Sequence, residues 1–504
     1  MMPMRTAALA TALALAVLAP LWWFPFVATQ DGPSHLYNTS ILLGWSEPGS
    51  IFPQVFERDL TPGPNWMGTA ALYVLMSVAE PVTAERILLT LYVLGMTAAW
   101  WGWASSFERP AGPVAALGPL LAMSFFLFKG FYSFCLSLPL FLAAITLAWR
   151  WRGHPLTAAR AALLNVLLAA TWLAHLVSFG AAWIASASIL ALGCAPRDRR
   201  PAWRRALWLA PALLLAVSGL ATASDPSSGR RWDWGRIVLY ILRGEWLVYA
   251  GPGQMVLGGA LMLLLAGLGV LRVRSMRMER DPGGAALALV APAAAIWALC
   301  FVLPRSAGGG DFLTDRLAIF PVLLLAPLAA PPPGRLSRGL VAAAVAVLTL
   351  AQAGITWTDQ RRGNDELAEY LALDDALREG SVLLPLTWEA PGPGRVSVLR
   401  HAGCHYAMRA KAVNLADYEA RTGHFQIRFK EPAARDARVP LLPELALIER
   451  DPSSLDVRPL AGWVDYLITW DLRGAAPERL DSYQQAWEVA QERGRLILFR
   501  RRPS

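Results

Sequence analysis

The stretch Pro113 to Trp149 reads PVAALGPLLAMSFFLFKGFYSFCLSLPLFLAAITLAW, 37 residues in which Lys129 is the single charged side chain. As one helix it would run roughly 55 Å, against a hydrocarbon core of about 30 Å. It must therefore fold back, and Lys129-Gly130 is its polar, flexible break. A second block, Thr157 to Gly193, has the same length and breaks between His175 and Gly180. The two hairpins supply four short spans, 113–128, 131–149, 157–174 and 177–193.

Outward from these hairpins the same length criterion picks out 6–28, 83–106, 206–224, 253–271, 284–303, 315–330 and 339–357. The first of these follows Arg5 and lacks a small-x-small cleavage site before Thr29, so it reads as an uncleaved anchor. The sum is about eleven transmembrane helices. The apolar run 66–79 lies between Pro64 and Pro81 and is too short to span. It suits an interfacial or re-entrant segment. Charge supports that choice. With 66–79 left out, Arg5, Arg150, Arg152 and the clusters Arg197–Arg205, Arg272–Arg280 and Arg335/Arg338 share one side, which the positive-inside rule makes cytoplasmic. The other side then receives loop 29–82, the Lys129 and His175 hairpin tips, loops 225–252 and 304–314, and the tail.

The tail changes character from Thr358. A polar helical stretch is expected over Asp365–Arg378, and short strand-like runs at Val382–Leu384 and Val396–Leu399. After the linker Pro391–Gly394, a buried strand is expected over Trp463–Trp470, a helix over Asp481–Glu492 and a closing strand over Arg495–Phe499. The expected fold class is thus an α-helical polytopic membrane protein with a small C-terminal α/β domain. Residues 1–357 form the membrane domain, with interfacial helices in loops 29–82 and 225–252, and 358–504 the soluble, non-cytoplasmic domain.

Composition agrees: 55% of residues are hydrophobic and 16% charged. The formal net charge of +9 is no sign of nucleic-acid binding, because the basic residues sit in short loops without interleaved aromatics. Of four cysteines only Cys404 falls in the tail, so no disulfide framework is expected there. The preference for Arg over Lys, with abundant Ala, points to a GC-rich bacterial coding sequence. A Walker A sequence, a Gly-x-Ser-x-Gly elbow and a dinucleotide fingerprint are all missing.

Chemistry is sought on the outer side. The first outer loop opens Thr29-Gln30-Asp31-Gly32-Pro33-Ser34-His35-Leu36-Tyr37-Asn38. Asp31 stands just past the first span, placed to take a proton or hold a cation beside a lipid-tailed substrate. His35, at the start of a helix, is near enough to join it. The alternative is that Asp31 only caps that helix. Lys129 among phenylalanines is either a functional cation or a snorkelling one. His175, with Ser178, either contributes to a site or bonds within the bundle. Arg316 beside Asp315 is either a site residue or an interfacial anchor, and Arg305 can serve to orient its loop. His401 and His405 have the spacing of metal ligands on a helix, but no second ligand cluster accompanies them. Asn38-Thr39-Ser40 matches a glycosylation sequon, a pattern common by chance.

The Asp31 loop, Pro64-Asn65-Trp66-Met67-Gly68, the aromatic break Phe128-Lys129-Gly130-Phe131-Tyr132-Ser133-Phe134, the hairpin His175-Leu176-Val177-Ser178 and the span opening Asp315-Arg316-Leu317 together resemble the GT-C superfamily. These are polytopic glycosyltransferases that use polyprenyl-linked sugar donors. The likeness covers most of the chain as an architecture and is closest to bacterial members with a soluble domain after the last helix. It implies a chain in the bacterial inner membrane with a periplasmic tail, moving a sugar from a polyprenyl-phosphate-linked donor to an envelope lipid, glycan or protein. Asp31 would then be the general base or a metal ligand, with a divalent metal left open as cofactor. Lys129, Arg305 and Arg316 would offer positive charge to the leaving lipid phosphate, with His35 and His175 beside the substrate. One departure stands out: many family members carry a second acid in the loop between the third and fourth spans, and this chain has Lys129 there. A non-catalytic envelope scaffold and a transporter or lipid-handling protein remain the alternatives.

Overall fold

The structure is a computed structural model. It describes residues 2–107, 112–193, 199–222, 232–279, 284–306, 311–329, 334–373, 377–387, 394–422, 424–430, 457–472 and 483–502. Two compact units emerge. One comprises Met1–Trp23, Pro62–Gly68 and Leu88–Trp357, the other Phe24–Thr61, Thr69–Ile87 and Thr358–Ser504.

The first unit is helical. Among the described residues, six stretches are long and apolar enough to cross a membrane: Met4–Trp23, Pro81–Ala104, Gly112–Lys129, Tyr132–Trp151, Gln254–Arg272 and Leu336–Tyr370. Four shorter apolar helices accompany them, Trp66–Met76, Ala158–Ala174, Leu176–Leu192 and Ala286–Val302. The chain is a multi-pass membrane protein; six of the expected eleven crossings meet the length criterion by themselves. Both long blocks do fold back. Gly130 adopts φ 90°, a left-handed cap that ends the short helix Phe125–Lys129 before Tyr132–Trp151 begins. His175, extended at φ −164°, separates Ala158–Ala174 from Leu176–Leu192. Leu176–Leu192 packs against Tyr132–Trp151, Ala158–Ala174 and Gly284–Val302. Its Ser178 hydroxyl meets the Ser137 hydroxyl at 2.6 Å, so two buried polar groups satisfy each other.

Helix Trp66–Met76 is 11 residues long, as its bracketing prolines anticipated. Its first turn is pinned to the aromatic break. Gly68 N–H donates to Ser133 Oγ at 3.0 Å, and that hydroxyl donates to the Asn65 carbonyl at 2.9 Å. A Cβ on Gly68 would lie 2.6 Å from Ser133 Oγ, so this close approach requires glycine.

The second unit carries a five-stranded sheet. Its strands are β2 (Val382–Thr387), β3 (Val413–Asn414), β5 (Tyr466–Trp470), β6 (Trp487–Arg493) and β7 (Leu496–Arg501), in the order β3-β2-β5-β7-β6. β2 runs parallel to β3 and β5, while β7 is antiparallel to β5 and β6. The buried positions of β2 and β5 form near-continuous apolar runs, as strands covered on both faces require. A separate antiparallel pair joins β1 (Phe56–Arg58) to β4 (Ile427–Phe429), with Phe56 opposite Phe429. The first-loop segment shares the tail's core: Tyr37, Ile41 and Phe56 are buried in one cluster with Leu384, Leu467 and Trp470. Tyr37 Oη donates to the Ala412 carbonyl at 2.8 Å and accepts from Asn414 N–H at 2.9 Å.

Three local expectations are corrected. Of the polar helix expected over Asp365–Arg378, the described residues from Leu371 to Arg378 are not helical, and the part up to Tyr370 is the end of one helix, Arg335–Tyr370, that continues from the membrane span. Its Gln360 and Asn364, one turn apart, bond both backbone groups of Ala28 and of Phe26 at 2.8–3.0 Å. Those amides need the helix intact, so it does not break near Thr358. Val396–Leu399 is a turn, not a strand; its Ser397 N–H serves Gln30 Oε1 at 3.2 Å instead of a ladder. Trp487–Arg493 is strand β6, not helix, because pairing with β7 across a bulge at Val489/Gln491 overrides its helical propensity. Of that expected helix, Tyr483–Ala486 are helical; its first two residues, 481 and 482, most of Pro391–Gly394 and Cys194 lie outside the described residues.

Candidate functional site

Two groups of functional side chains occur, one in each unit. In the helical unit the aromatic break and the span opening supply a cluster of cations. Phe312 has φ 61° and begins the helix Leu313–Leu317. Its ring lies 5.5 Å from Phe125 and 5.9 Å from Phe131. Lys129 Nζ stands 5.8 Å from the Phe312 centroid, and Arg305 Cζ 4.8 Å from it. The Leu313 N–H donates to the Arg305 carbonyl at 2.8 Å, which holds the two ends of that loop together.

Arg316 stacks over Phe131 at 4.1 Å and reaches His175 Nε2 with Nη1 at 3.3 Å. A guanidinium only donates, so His175 Nε2 accepts and its proton resides on Nδ1. Nδ1 is buried, with no hydrogen-bond partner among the described residues. Aromatic faces of this kind hold cations in place without neutralising them.

Asp315 is the counter-charge. Only 2% exposed, it takes Arg305 Nε on Oδ2 at 3.1 Å and Arg236 Nη2 near Oδ1 at 3.3 Å. Sequence reading missed Arg236 and gave Asp315 no role beyond its neighbour. Arg236 sits in the helix Trp234–Leu242, and the signal was present: Asp233 caps that helix through Arg236 N–H, a recognisable start within loop 225–252. Lys129, His175, Arg305 and Arg316 are thus brought together in one unit, around Phe312, Phe131 and Asp315.

Asp31 and His35 stand in the other unit. Asp31 is 4% exposed and precedes the helix Gly32–Gly44, yet its side chain makes no capping bond. Capping is therefore not what holds the carboxylate. Its Oδ1 accepts from Gln30 Nε2 at 3.0 Å and lies 3.5 Å from His401 Nε2. The turn Gly394–His401 thus grips the acid twice, through Ser397 and Gln30 and through His401. His35 does not turn to Asp31: its Nδ1 is 2.7 Å from Glu419 Oε1. Beside it, Asp417 Oδ1 accepts from Ser34 Oγ and Asn38 Nδ2, both at 3.1 Å. Burial, then the charge of Glu419, pushes the Asp417 carboxyl up to about 7. Asn38 of the sequon is buried in these bonds, where a glycan could not be attached.

His401 and His405 meet different neighbours, His401 the carboxylate of Asp31 and His405 the ring of Phe26. His405 is buried against Phe26, and burial lowers its pKa to about 4. Among the described residues no group of three or more His, Cys, Asp or Glu could hold a metal ion.

No protein-family model matches the chain, and no curated protein does. Solved structures do. The crystal structure of ArnT from Cupriavidus metallidurans bound to undecaprenyl phosphate aligns with a TM-score of 0.53 at 13% identity, over 98% of this chain and 97% of that one. ArnT from Cupriavidus metallidurans in the apo state aligns with a TM-score of 0.54, at the same identity and coverage. At that identity the likeness speaks of fold, and on that level the GT-C-like architecture read from the sequence is borne out: the chain has an ArnT-like fold.

Proposed function

We propose that the chain is a glycosyltransferase of the GT-C type. It moves a sugar from a polyprenyl-phosphate-linked donor to an envelope lipid, glycan or protein on the outer face of the bacterial inner membrane. The observation that carries this reading is the cation cluster. Lys129, Arg305 and Arg316 are held over aromatic rings, and His175 adds a buried donor. Such a set suits a phosphate on an apolar tail. The reading gains support from an ArnT-like fold, since ArnT was crystallised with undecaprenyl phosphate.

In this reading an acceptor oxygen attacks the anomeric carbon, and the bond from that carbon to the phosphate oxygen breaks. The electron pair leaves with the phosphate, where the cations meet the added charge. Asp31 takes the proton of the acceptor hydroxyl, oriented by Gln30 and His401. Residues 1–357 serve as the membrane domain and 358–504 as the periplasmic one.

The test is transfer from a radiolabelled polyprenyl-phosphate sugar pool in membranes that carry the chain. Asp31→Asn should abolish transfer while accumulation and thermal unfolding stay normal. Retained transfer in that variant would remove the mechanism.

A further inference from the structure

We propose that Asp315 is the resident counter-ion of the phosphate site and limits how tightly the site holds the spent carrier. The inference rests on the phosphate reading above. Four cations, Lys129, Arg236, Arg305 and Arg316, lie in this region, and two of them, Arg236 and Arg305, meet the carboxylate of Asp315. Asp315 is buried, yet Arg236 and Arg305 are 29% and 24% exposed, so a phosphate can reach the guanidinium groups that Asp315 holds.

The charge arithmetic of transfer gives the carboxylate its use. A sugar phosphodiester carries one negative charge. When the glycosidic carbon–oxygen bond breaks, the carrier phosphate gains a second, and the acceptor's proton goes to the base. A site with uncompensated arginines would hold the dianionic product far more tightly than the donor and turn over slowly. Asp315 competes with phosphate for Arg305 and Arg236 and repels the second charge. It takes them back when the carrier leaves, so no guanidinium is left without a partner. Asp315 does not touch the sugar; it acts through the two arginines.

The experiment measures binding of undecaprenyl phosphate and of uncharged undecaprenol to the full chain in nanodiscs at pH 8. Wild type should prefer the phosphate. Asp315→Asn should bind undecaprenyl phosphate about tenfold or more tightly, the gain shrinking with salt, with undecaprenol unchanged. Unchanged or weaker phosphate binding in Asp315→Asn overturns the proposal, because a carboxylate that only positions arginines would give that result. Equal wild-type binding of both lipids overturns the phosphate reading and the inference with it.

Should Asp315→Asn not accumulate, Arg236→Gln decides. It leaves Asp315 to draw on Arg305 alone, and phosphate binding should weaken about fivefold. No change would overturn the proposal.

Discussion

Asp417→Asn should leave the second unit as stable as wild type at pH 4 and make it distinctly more stable at pH 8. Asp417 is fully buried, and Ser34, Asn38 and the Glu419 N–H all donate to its Oδ1. Oδ2 has no hydrogen-bond partner. Asn keeps the accepting oxygen and removes the charge. Burial and Glu419 raise the folded carboxyl from 3.8 to about 7. Below the unfolded value both states are protonated and nothing is lost. As pH climbs from about 4 to about 7 the unfolded carboxyl is ionised while the folded one still holds its proton, so ionisation favours unfolding. Each pH unit of that window is worth about 1.4 kcal/mol, or on the order of 4 kcal/mol by pH 7 and above. His405, lowered to about 4 by burial, contributes the opposite slope between about pH 4 and 6.5. It does so equally in both proteins, so the difference isolates Asp417. The assay is denaturant unfolding at pH 4, 5, 6, 7 and 8, followed by tryptophan fluorescence from buried Trp470 and Trp487. A gap that stays constant with pH, or that closes as pH rises, would refute the reasoning.

Other expectations concern single contacts. Gln360→Leu strands the buried N–H and C=O of Ala28 and should cost on the order of 2–4 kcal/mol in the same unfolding assay. Gly68→Ala drives a methyl into Ser133 Oγ and should destabilise by about 1–3 kcal/mol, with Ser133→Ala in the same chain recovering part of the loss. Arg316→Met keeps much of the stacking volume over Phe131 but none of the charge. It should weaken undecaprenyl phosphate binding about tenfold or more and leave undecaprenol binding within twofold, measured in nanodiscs.

How much of this was legible follows from the physics of each element. The hairpins were readable because 37 apolar residues cannot cross once, and the breaks at Gly130 and His175 lie where polarity and a left-handed glycine interrupt the runs. Strands β2, β5 and β7 announced themselves as short apolar blocks. Strand β6 did not, since its edge position leaves it polar and only its pairing with β7 makes it a strand. The continuity of Arg335–Tyr370 was hidden by a change in composition that signals a change of solvent, not a change of backbone. At the candidate site, charge type and loop position were enough to select Lys129, Arg305 and Arg316. The engagement of Asp315 by Arg236 depends on a contact 79 positions apart in sequence, about which local pattern is silent. The same holds for His401 on Asp31 and Glu419 on His35, tertiary pairs that no spacing rule reaches.

The central claim is that the cations around Phe131 and Phe312 receive a lipid phosphate. A polyprenyl phosphate bearing a diazirine on its first isoprene unit tests it directly, by photolabelling the full chain in nanodiscs and mapping the adducts by mass spectrometry. Adducts should fall within 125–134 and 312–320, be displaced by undecaprenyl phosphate but not by undecaprenol, and diminish in Arg316→Met. Labelling confined to other segments, or competed equally by the alcohol, would contradict the account.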